Sequence, residues 1–199
     1  MMDTIGAFSN SLLMRELQEM EDGERRMRVI FLDVDGVLNT AQTKERIPGL
    51  PYIGISPSRV KILRDLVDQS SLIDETVIVL SSSWRAGRDR FGNLIQGHYS
   101  YLRECLAEVG LSLYDETPLM DDGRNRGQEI REWLRSKKDL GITSIVVLDD
   151  EHGQEFKAAK VSRYWIQTSF WGSNGGLKPA HVREALKKMR MEIPEFFWE

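Results

Sequence analysis

The chain has 199 residues, of which 41% are hydrophobic and 29% are charged, as is typical of one folded globular domain with a sizeable core. The net charge of −4 argues against a generally basic surface that coats nucleic acid, but it leaves room for a local basic patch. No apolar run approaches the roughly 20 residues that cross a bilayer, so no membrane partner is expected. The single cysteine, Cys105, excludes an intrachain disulfide.

Residues 1–27 are predicted to form an N-terminal extension, and residues 28–199 the domain itself. The extension carries a weak helical stripe of Leu13, Leu17 and Met20, which favours a mobile or loosely docked helix. It contains acidic residues and has neither a basic leader nor a continuous apolar stretch, so it lacks the pattern of a secretory signal. A cytoplasmic location is therefore expected.

Strand and helix patterns alternate from Arg28 onward. Three unbroken apolar runs, VIFL, VIVL and IVVL, are typical of central parallel strands that are covered on both faces. Helical spacing marks the segments SPSRVKILRDLVDQ, YSYLRECLAEVG, GQEIREWLRSKK and PAHVREALKKM, and RYWIQT has the pattern of a further strand. This order predicts an α/β protein with a Rossmann-like, three-layer fold around a central parallel sheet.

Polar residues follow the central strands at the point where each apolar run ends. Asp33 follows the first run, Ser81 or Ser82 the second, and Asp149 the third. Ligands of open α/β sheets bind beyond the carboxyl ends of the strands, where residues from distant sequence positions meet. These side chains are therefore expected to cluster at one edge of the sheet.

The residue types at this edge suit a metal ion and a phosphate group. In DVDG, a turn at Gly36 can aim Asp33 and Asp35 at one point, and Asp149 and Asp150 would add two more carboxylates. So many like charges are costly without a cation, and oxygen ligands suit Mg²⁺. Hydroxyl and guanidinium groups are good phosphate donors. The candidates are Ser81, Ser82, Ser83, Arg85, Arg124 and Arg126.

From about Arg28 to about Met189, the sequence resembles the haloacid dehalogenase (HAD) superfamily of phosphohydrolases. Four motifs occur in the superfamily's order: VIFLDVDGVLN, VIVLSSSW, NRGQEIREWL and IVVLDDE. The stretches SSSWR and RGQEIREWL, together with the late GGL, resemble in particular the compact HAD domains associated with polynucleotide-repair proteins. The resemblance implies a HAD-type phosphatase that hydrolyses phosphoric monoesters.

The resemblance also implies a role for each acidic residue. Asp33 would be the nucleophile that forms an aspartyl-phosphate. Asp35 would protonate the leaving oxygen and then activate water. Mg²⁺ would be held by the Asp33 side chain, the Asp35 backbone carbonyl and Asp149, with Asp150 as a further ligand or as a partner of a ligand.

Two phosphate-binding positions follow from the resemblance, and each has an alternative. Ser82 is favoured for the hydroxyl because a tryptophan follows it by two residues, but Ser81 directly ends the apolar run. Arg126 is favoured for the guanidinium because it lies against the start of a helix, and Arg124 is the alternative. Donors at these positions would stabilise the charge of the transferring phosphoryl group.

The spacing of the motifs leaves no room for a large cap domain of the kind that HAD enzymes of small metabolites usually carry. About 20 residues separate the first motif from the next helix, and the roughly 40 residues between the second and third motifs are needed for the crossover. An open site favours a phosphate on a large molecule. Arg85, Arg88 and Arg124 favour an RNA or DNA end as this partner, and Trp84, Tyr99 and Trp171 could stack on bases.

Other functions remain alternatives at this point. A phosphoprotein phosphatase or a 5′-nucleotidase would use the same fold and chemistry. A protein of another class, a catalytically silent module that binds phosphate or nucleic acid, would keep the fold without turnover. The arginines could instead be a solvated loop paired with nearby acids, and the tryptophans could be core residues.

Overall fold

The computed structural model describes residues 26–87, 97–120 and 125–198. Within these ranges the chain forms one sheet of five parallel strands in the order β3-β2-β1-β4-β5. The strands are β1 (Met27–Leu32), β2 (Glu75–Leu80), β3 (Leu113–Glu116), β4 (Ile142–Asp149) and β5 (Trp165–Gln167). The predicted parallel sheet is therefore confirmed.

Five α-helices connect or flank these strands in the described ranges. They are α1 (Pro57–Ser70), α2 (His98–Ala107), α3 (Arg126–Ser136), α4 (Gly153–Ala158) and α5 (Pro179–Lys188). The four predicted helices correspond to α1, α2, α3 and α5. Pro57 occupies the first turn of α1, where its missing N–H leaves no hydrogen bond unmade.

Two apolar clusters cover the two faces of the sheet because side chains alternate along each strand. On the first, the α1 face, helices α1, α2 and α5 cover residues such as Leu32 and Leu148. On the second, the α3 face, helices α3 and α4 cover residues such as Phe31 and Val147. Both faces of the central strands are thus buried, as their unbroken apolar sequences predict.

Three details differ from the sequence-based expectations. Strand β3 was not expected, because LYDE is short and only partly buried at the sheet edge. Helix α4 was not expected either, since its six residues contain one buried apolar side chain, Phe156, and show no helical stripe. Met27 is a buried residue of β1 and not part of the extension. Residues 1–25 lie outside the described ranges.

The connection from β1 to α1 is short. It consists of turns and a single antiparallel bridge between Arg46 and Ile53, so it is a flap and not an inserted domain. The connection from β2 to β3 contains α2, and its residues 88–96 lie outside the described part of the chain. No large cap domain is present in the described ranges, in agreement with the sequence. None of the helices described there has the length and apolar character needed to cross a membrane.

Candidate active site

The candidate site lies at the carboxyl edge of β1, β2 and β4. The register pairs Leu32 with Leu80 on one side and with Leu148 on the other. The next residues continue the pattern, since the Asp33 N–H donates to the Leu148 carbonyl (2.9 Å) and the Ser81 N–H donates to the Leu32 carbonyl (2.8 Å). The strand ends therefore meet side by side, as the position of the polar residues in the sequence predicts.

Three carboxylates crowd together at this edge. Asp33, Asp149 and Asp150 each offer an oxygen, and these oxygens all lie within 4.8 Å of one another. Asp33 and Asp149 are buried. Burial first, and the charge of Asp33 second, raise the pKa of Asp149 well above its ordinary value, while Arg126 opposes the rise. The ionised form of Asp149 is therefore unfavourable in this environment.

The donor set fits a hard divalent cation. One oxygen of Asp149 accepts a hydrogen bond from the Glu151 N–H (2.8 Å), and the other, although buried, has no hydrogen-bond partner among the described residues. All the available ligand atoms are oxygens, which Mg²⁺ and similar ions prefer. Asp33, Asp149 and Asp150 are thus able to hold such an ion.

Asp150 approaches the first motif closely, and Gly36 makes this possible. Gly36 has a φ of 79°, and a Cβ there would lie 2.3 Å from the Asp150 carboxyl carbon. Any side chain at this position would thus be strained and would collide with the carboxylate. On its other side, Asp150 Oδ2 accepts a hydrogen bond from the Phe170 N–H (3.1 Å).

The Asp35 carboxylate is not a member of the three-carboxylate cluster and has hydrogen-bond donors of its own. Its Oδ1 accepts a hydrogen bond from Asn39 Nδ2 (2.8 Å), and its Oδ2 accepts one from Trp84 Nε1 (3.0 Å). Trp84 itself is buried and packs edge-on against His98. Asn39 belongs to the same motif as Asp35, so its contact with Asp35 could have been expected from the sequence. Trp84 lies 49 residues from Asp35, and nothing in the sequence indicates their contact.

The structure separates the two candidate serines by the face on which they lie. Alternation along the extended chain places Asp33, Ser81 and Asp149 on the α3 face, because the preceding Leu32, Leu80 and Leu148 all belong to the α1 face. The Ser81 hydroxyl is buried and has no hydrogen-bond partner among the described residues.

The same alternation places Ser82 on the opposite face, because its backbone is also extended. Its hydroxyl accepts a hydrogen bond from the Trp84 N–H (3.4 Å) and caps the short 3₁₀ helix Ser83–Ala86. The sequence-based preference for Ser82 as the phosphate ligand is therefore not supported by this arrangement. The side chain of the tryptophan two residues later, Trp84, donates to the Asp35 carboxylate.

Arg126 is the first residue of α3 and is almost fully buried. Its Nε and Nη1 atoms have no hydrogen-bond partner among the described residues. Its backbone N–H donates to Glu155, whose other carboxylate oxygen lies 3.0 Å from His152 Nδ1. Helix α4 comes close at this point, because a Cβ at Gly127 would lie 2.5 Å from the Glu155 carbonyl oxygen. The start of α3 is thus fixed while the guanidinium retains unused donors.

Arg85 does not occupy the surface position that a substrate contact requires. Its buried guanidinium pairs with Glu129 and donates further hydrogen bonds to the carbonyls of Ser82, Thr117 and Pro118. Burial, and next the charge of Arg126, lower the pKa of Arg85, while Glu129 opposes this shift. Arg85 therefore connects the loop after β2 to α3. Arg88 and Arg124, the other proposed substrate contacts, lie outside the described residues.

The fold and this site define the class of protein. A parallel α/β sheet carries an acidic cluster after its first and fourth strands, a serine after the second and an arginine at a helix start, which is the arrangement of a HAD-type phosphatase. The family model that matches the chain describes the HAD domain in Swiss Army Knife RNA repair proteins, and the match covers residues 29–182. The chain belongs to this family and is a phosphohydrolase of the HAD superfamily.

The chain was also compared with solved structures and with curated proteins. The chain is similar to the cobalt-bound form of the deoxy-D-mannose-octulosonate 8-phosphate phosphatase of Haemophilus influenzae, with 18% identity and a TM-score of 0.43. That similarity covers 83% of this chain and 90% of the other. No curated protein matches the sequence.

The crowding of the carboxylates predicts that a divalent cation stabilises the folded protein. At Mg²⁺ about 100-fold above its Kd, the free energy of unfolding should rise by about 2.7 kcal/mol in urea titrations. Asp149→Asn should lose most of this response. It should also make the metal-free protein more stable than the wild type at neutral pH, because the raised pKa of Asp149 reflects a carboxylate that is costly to ionise in the folded state.

The sign of the pH dependence follows from linkage. The folded state retains the Asp149 proton to a higher pH than the unfolded chain, so the stability of the metal-free wild type should fall as pH rises from about 4 through the raised pKa. Asp74→Asn is the control: Asp74 is also buried, but it pairs with Arg28 away from the cluster, so the variant should keep the Mg²⁺ response. An unchanged response in Asp149→Asn would contradict the assignment.

Proposed function

We propose that the protein is a Mg²⁺-dependent phosphatase that removes a terminal phosphate from a polynucleotide through an aspartyl-phosphate on Asp33. The observation that carries the phosphate-binding part is a pair of buried, unsatisfied donors. The Ser81 hydroxyl and the Arg126 guanidinium lack hydrogen-bond partners among the described residues, although buried polar groups are nearly always paired. A phosphoryl group between them would supply the missing acceptors.

The reaction then proceeds in two steps. An Asp33 carboxylate oxygen attacks phosphorus, the bond from phosphorus to the leaving oxygen breaks, and Asp35 donates its proton to that oxygen. In the second step Asp35 takes a proton from water, the water oxygen attacks phosphorus, and the bond to Asp33 breaks. Inorganic phosphate is released and Asp33 returns to a carboxylate.

The surrounding residues position these groups. Asn39 and Trp84 hold the Asp35 carboxylate in place, and because each carboxylate oxygen has a second lone pair, Asp35 can still exchange a proton. Ser81 and Arg126 would bind the phosphoryl oxygens and stabilise their charge. When bound, Mg²⁺ would neutralise negative charge between the phosphate and the cluster of Asp33, Asp149 and Asp150, with the Asp35 backbone carbonyl as a further ligand.

Two observations support a polynucleotide as the substrate. The family to which the chain belongs is described as a domain of RNA repair proteins. The described connections around the site contain a short flap and no large cap domain, which favours a phosphate that is carried by a macromolecule. The proposed substrate is therefore a terminal phosphate of RNA or DNA.

The two serines provide a matched pair for testing the phosphate site. Ser81→Ala should lower kcat/KM by about 10- to 100-fold, since it removes a donor aimed at the phosphoryl group. Ser82→Ala removes a hydroxyl of the same size one residue away and should reduce activity by less than Ser81→Ala. Steady-state kinetics with any phosphomonoester that the wild type hydrolyses gives kcat/KM for both variants. A larger loss for Ser82→Ala would restore Ser82 as the phosphate ligand.

Trp84 is expected to act as a positioning residue for Asp35. Trp84→Phe keeps an aromatic ring but removes the N–H donor, so kcat should fall by about tenfold or more as the proton donor loses its fixed orientation. Trp133→Phe is the matched control, because Trp133 is also buried and its Nε1 also donates to a carboxylate, that of Asp115 (2.9 Å). Equal effects of the two substitutions on kcat would show that Trp84 serves stability alone.

The function itself is tested by Mg²⁺-dependent phosphate release from a substrate panel. The panel contains 3′- and 5′-phosphorylated oligonucleotides, mononucleotides, phosphopeptides and p-nitrophenyl phosphate. An oligonucleotide end should be preferred, its turnover should decline with salt more steeply than that of a mononucleotide, and Asp33→Asn should be inactive. Preference for phosphopeptides or mononucleotides would replace the proposed substrate class. Absence of turnover with every substrate would favour a silent binding module.

A further inference from the structure

Trp171 is exposed beside the candidate active site. Its exposed fraction is 61%, whereas Trp84 and Trp133 are buried, and Tyr114 is the other strongly exposed aromatic residue among those described. Single exposed apolar residues are common and need no function by themselves. Trp171 differs from such residues because it lies near the candidate site and its loop is held by several hydrogen bonds.

The position follows from the neighbours of Trp171 in sequence. The backbone N–H of Phe170, the preceding residue, donates to the Asp150 carboxylate (3.1 Å). Two residues earlier, the Thr168 N–H donates to the Asp149 carbonyl (3.1 Å). Because consecutive Cα atoms lie about 3.8 Å apart, the Trp171 Cα lies within about 9 Å of the Asp150 carboxylate. The loop that carries Trp171 therefore contacts the cluster beside which the phosphate is proposed to bind.

The loop that carries Trp171 is held by many contacts. The Ser169 hydroxyl accepts from the Trp171 N–H (3.2 Å) and donates to the Trp171 carbonyl (2.8 Å). The Phe170 ring packs edge-on against the Trp171 ring, with centroids 5.0 Å apart. The Phe170 carbonyl also accepts from the Ala41 N–H of the flap (3.0 Å).

The far side of the same loop is fixed as well. Arg59 of α1 donates to the Gly175 carbonyl (3.1 Å), and a Cβ on Gly176 would collide with the Arg59 side chain. The Gly176 N–H donates to the Ser169 carbonyl (2.9 Å), which closes the loop on itself. The indole is therefore presented on a fixed backbone, so little ordering is needed when a ligand packs against it.

We propose that Trp171 stacks on the nucleobase of the nucleotide that carries the scissile phosphate. The proposal rests on the proposed function, since it assumes that a nucleotide brings the phosphate to the site. Stacking on an aromatic side chain is strong and tolerates any base, because every base has a π-face. Trp171 would therefore favour nucleotide phosphates over other phosphomonoesters without selecting a sequence.

The stacking is tested by combining one substitution in the protein with one change in the substrate, as in a double-mutant cycle. The wild type and Trp171→Ala are compared on a phosphorylated oligonucleotide and on the same oligonucleotide whose phosphate-bearing residue lacks its base. For the wild type, removing the base should lower kcat/KM by about 10- to 100-fold. For Trp171→Ala, base removal should have little further effect, and Trp171→Phe should restore most of the activity on the intact substrate.

Two controls separate stacking from other effects. Tyr114→Ala removes an exposed aromatic residue from β3 and should leave the response to base removal as in the wild type. Glycerol phosphate has no ring, so its turnover should be the same in the wild type and in Trp171→Ala. p-Nitrophenyl phosphate is unsuitable for this comparison because its own ring could stack.

The outcomes distinguish the two levels of the proposal. In the first case, the wild type prefers the oligonucleotide, but Trp171→Ala either keeps its full activity or loses the same factor on the intact and the base-less substrates. This result would overturn the stacking and leave the proposed function in place. In the second case, the wild type hydrolyses glycerol phosphate with the same kcat/KM as the oligonucleotide. The proposed substrate class then fails, and the stacking fails with it.

Discussion

The crowding of three carboxylates at the carboxyl edge of the sheet is the constraint on which the site depends. Asp33 and Asp149 follow neighbouring strands in register, so the sheet itself places them together. Burial and the charge of Asp33 make the ionised form of Asp149 unfavourable in the folded state when no cation is bound, and the pKa of Asp149 is accordingly raised. Two buried apolar layers on the faces of β1 and β4 hold the strand ends in place despite this repulsion.

The loops around the cluster are built to supply hydrogen bonds without adding bulk. Gly36 gives the Asp150 carboxylate room to approach, and the Phe170 N–H fixes that carboxylate from the opposite side. Asn39 and Trp84 donate hydrogen bonds to the Asp35 carboxylate, which is not one of the three clustered carboxylates. The two carboxylates of the DVDG motif therefore have different environments, as the proposed roles of one as nucleophile and the other as proton donor and acceptor require.

The sequence predicts the parts of this structure that depend on local patterns. Unbroken apolar runs reveal β1, β2 and β4, and polar residues directly after them indicate the edge where Asp33 and Asp149 meet. Strand β3 and helix α4 escape such reasoning because both are short and partly exposed or weakly patterned. The proposal of Ser81 rather than Ser82 as the phosphate ligand depends on the strand register, from which Ser81 is placed on the same face as Asp33.

Contacts between distant sequence positions could not be predicted in this way. Trp84 reaches Asp35 across 49 residues, and Arg85 reaches Glu129 across 44. The sequence assigns Arg126 to the phosphoryl group and Arg85 to a possible contact with a nucleic-acid end, but it does not show which guanidinium is already paired within the protein. Only the packing of α3 against the loop after β2 shows that Glu129 neutralises Arg85 and leaves the donors of Arg126 unused.

This division of roles between the two arginines gives the site its charge balance. Arg85 and Glu129 form a buried pair with little net charge, which removes one guanidinium from competition for an anion. Arg126 and Asp149 partly compensate each other's charge, yet both keep buried polar atoms without hydrogen bonds among the described residues. A phosphate would satisfy the donors and a divalent cation the acceptors. The two proposed ligands would therefore complement each other, because each would offset a charge that the other leaves unbalanced.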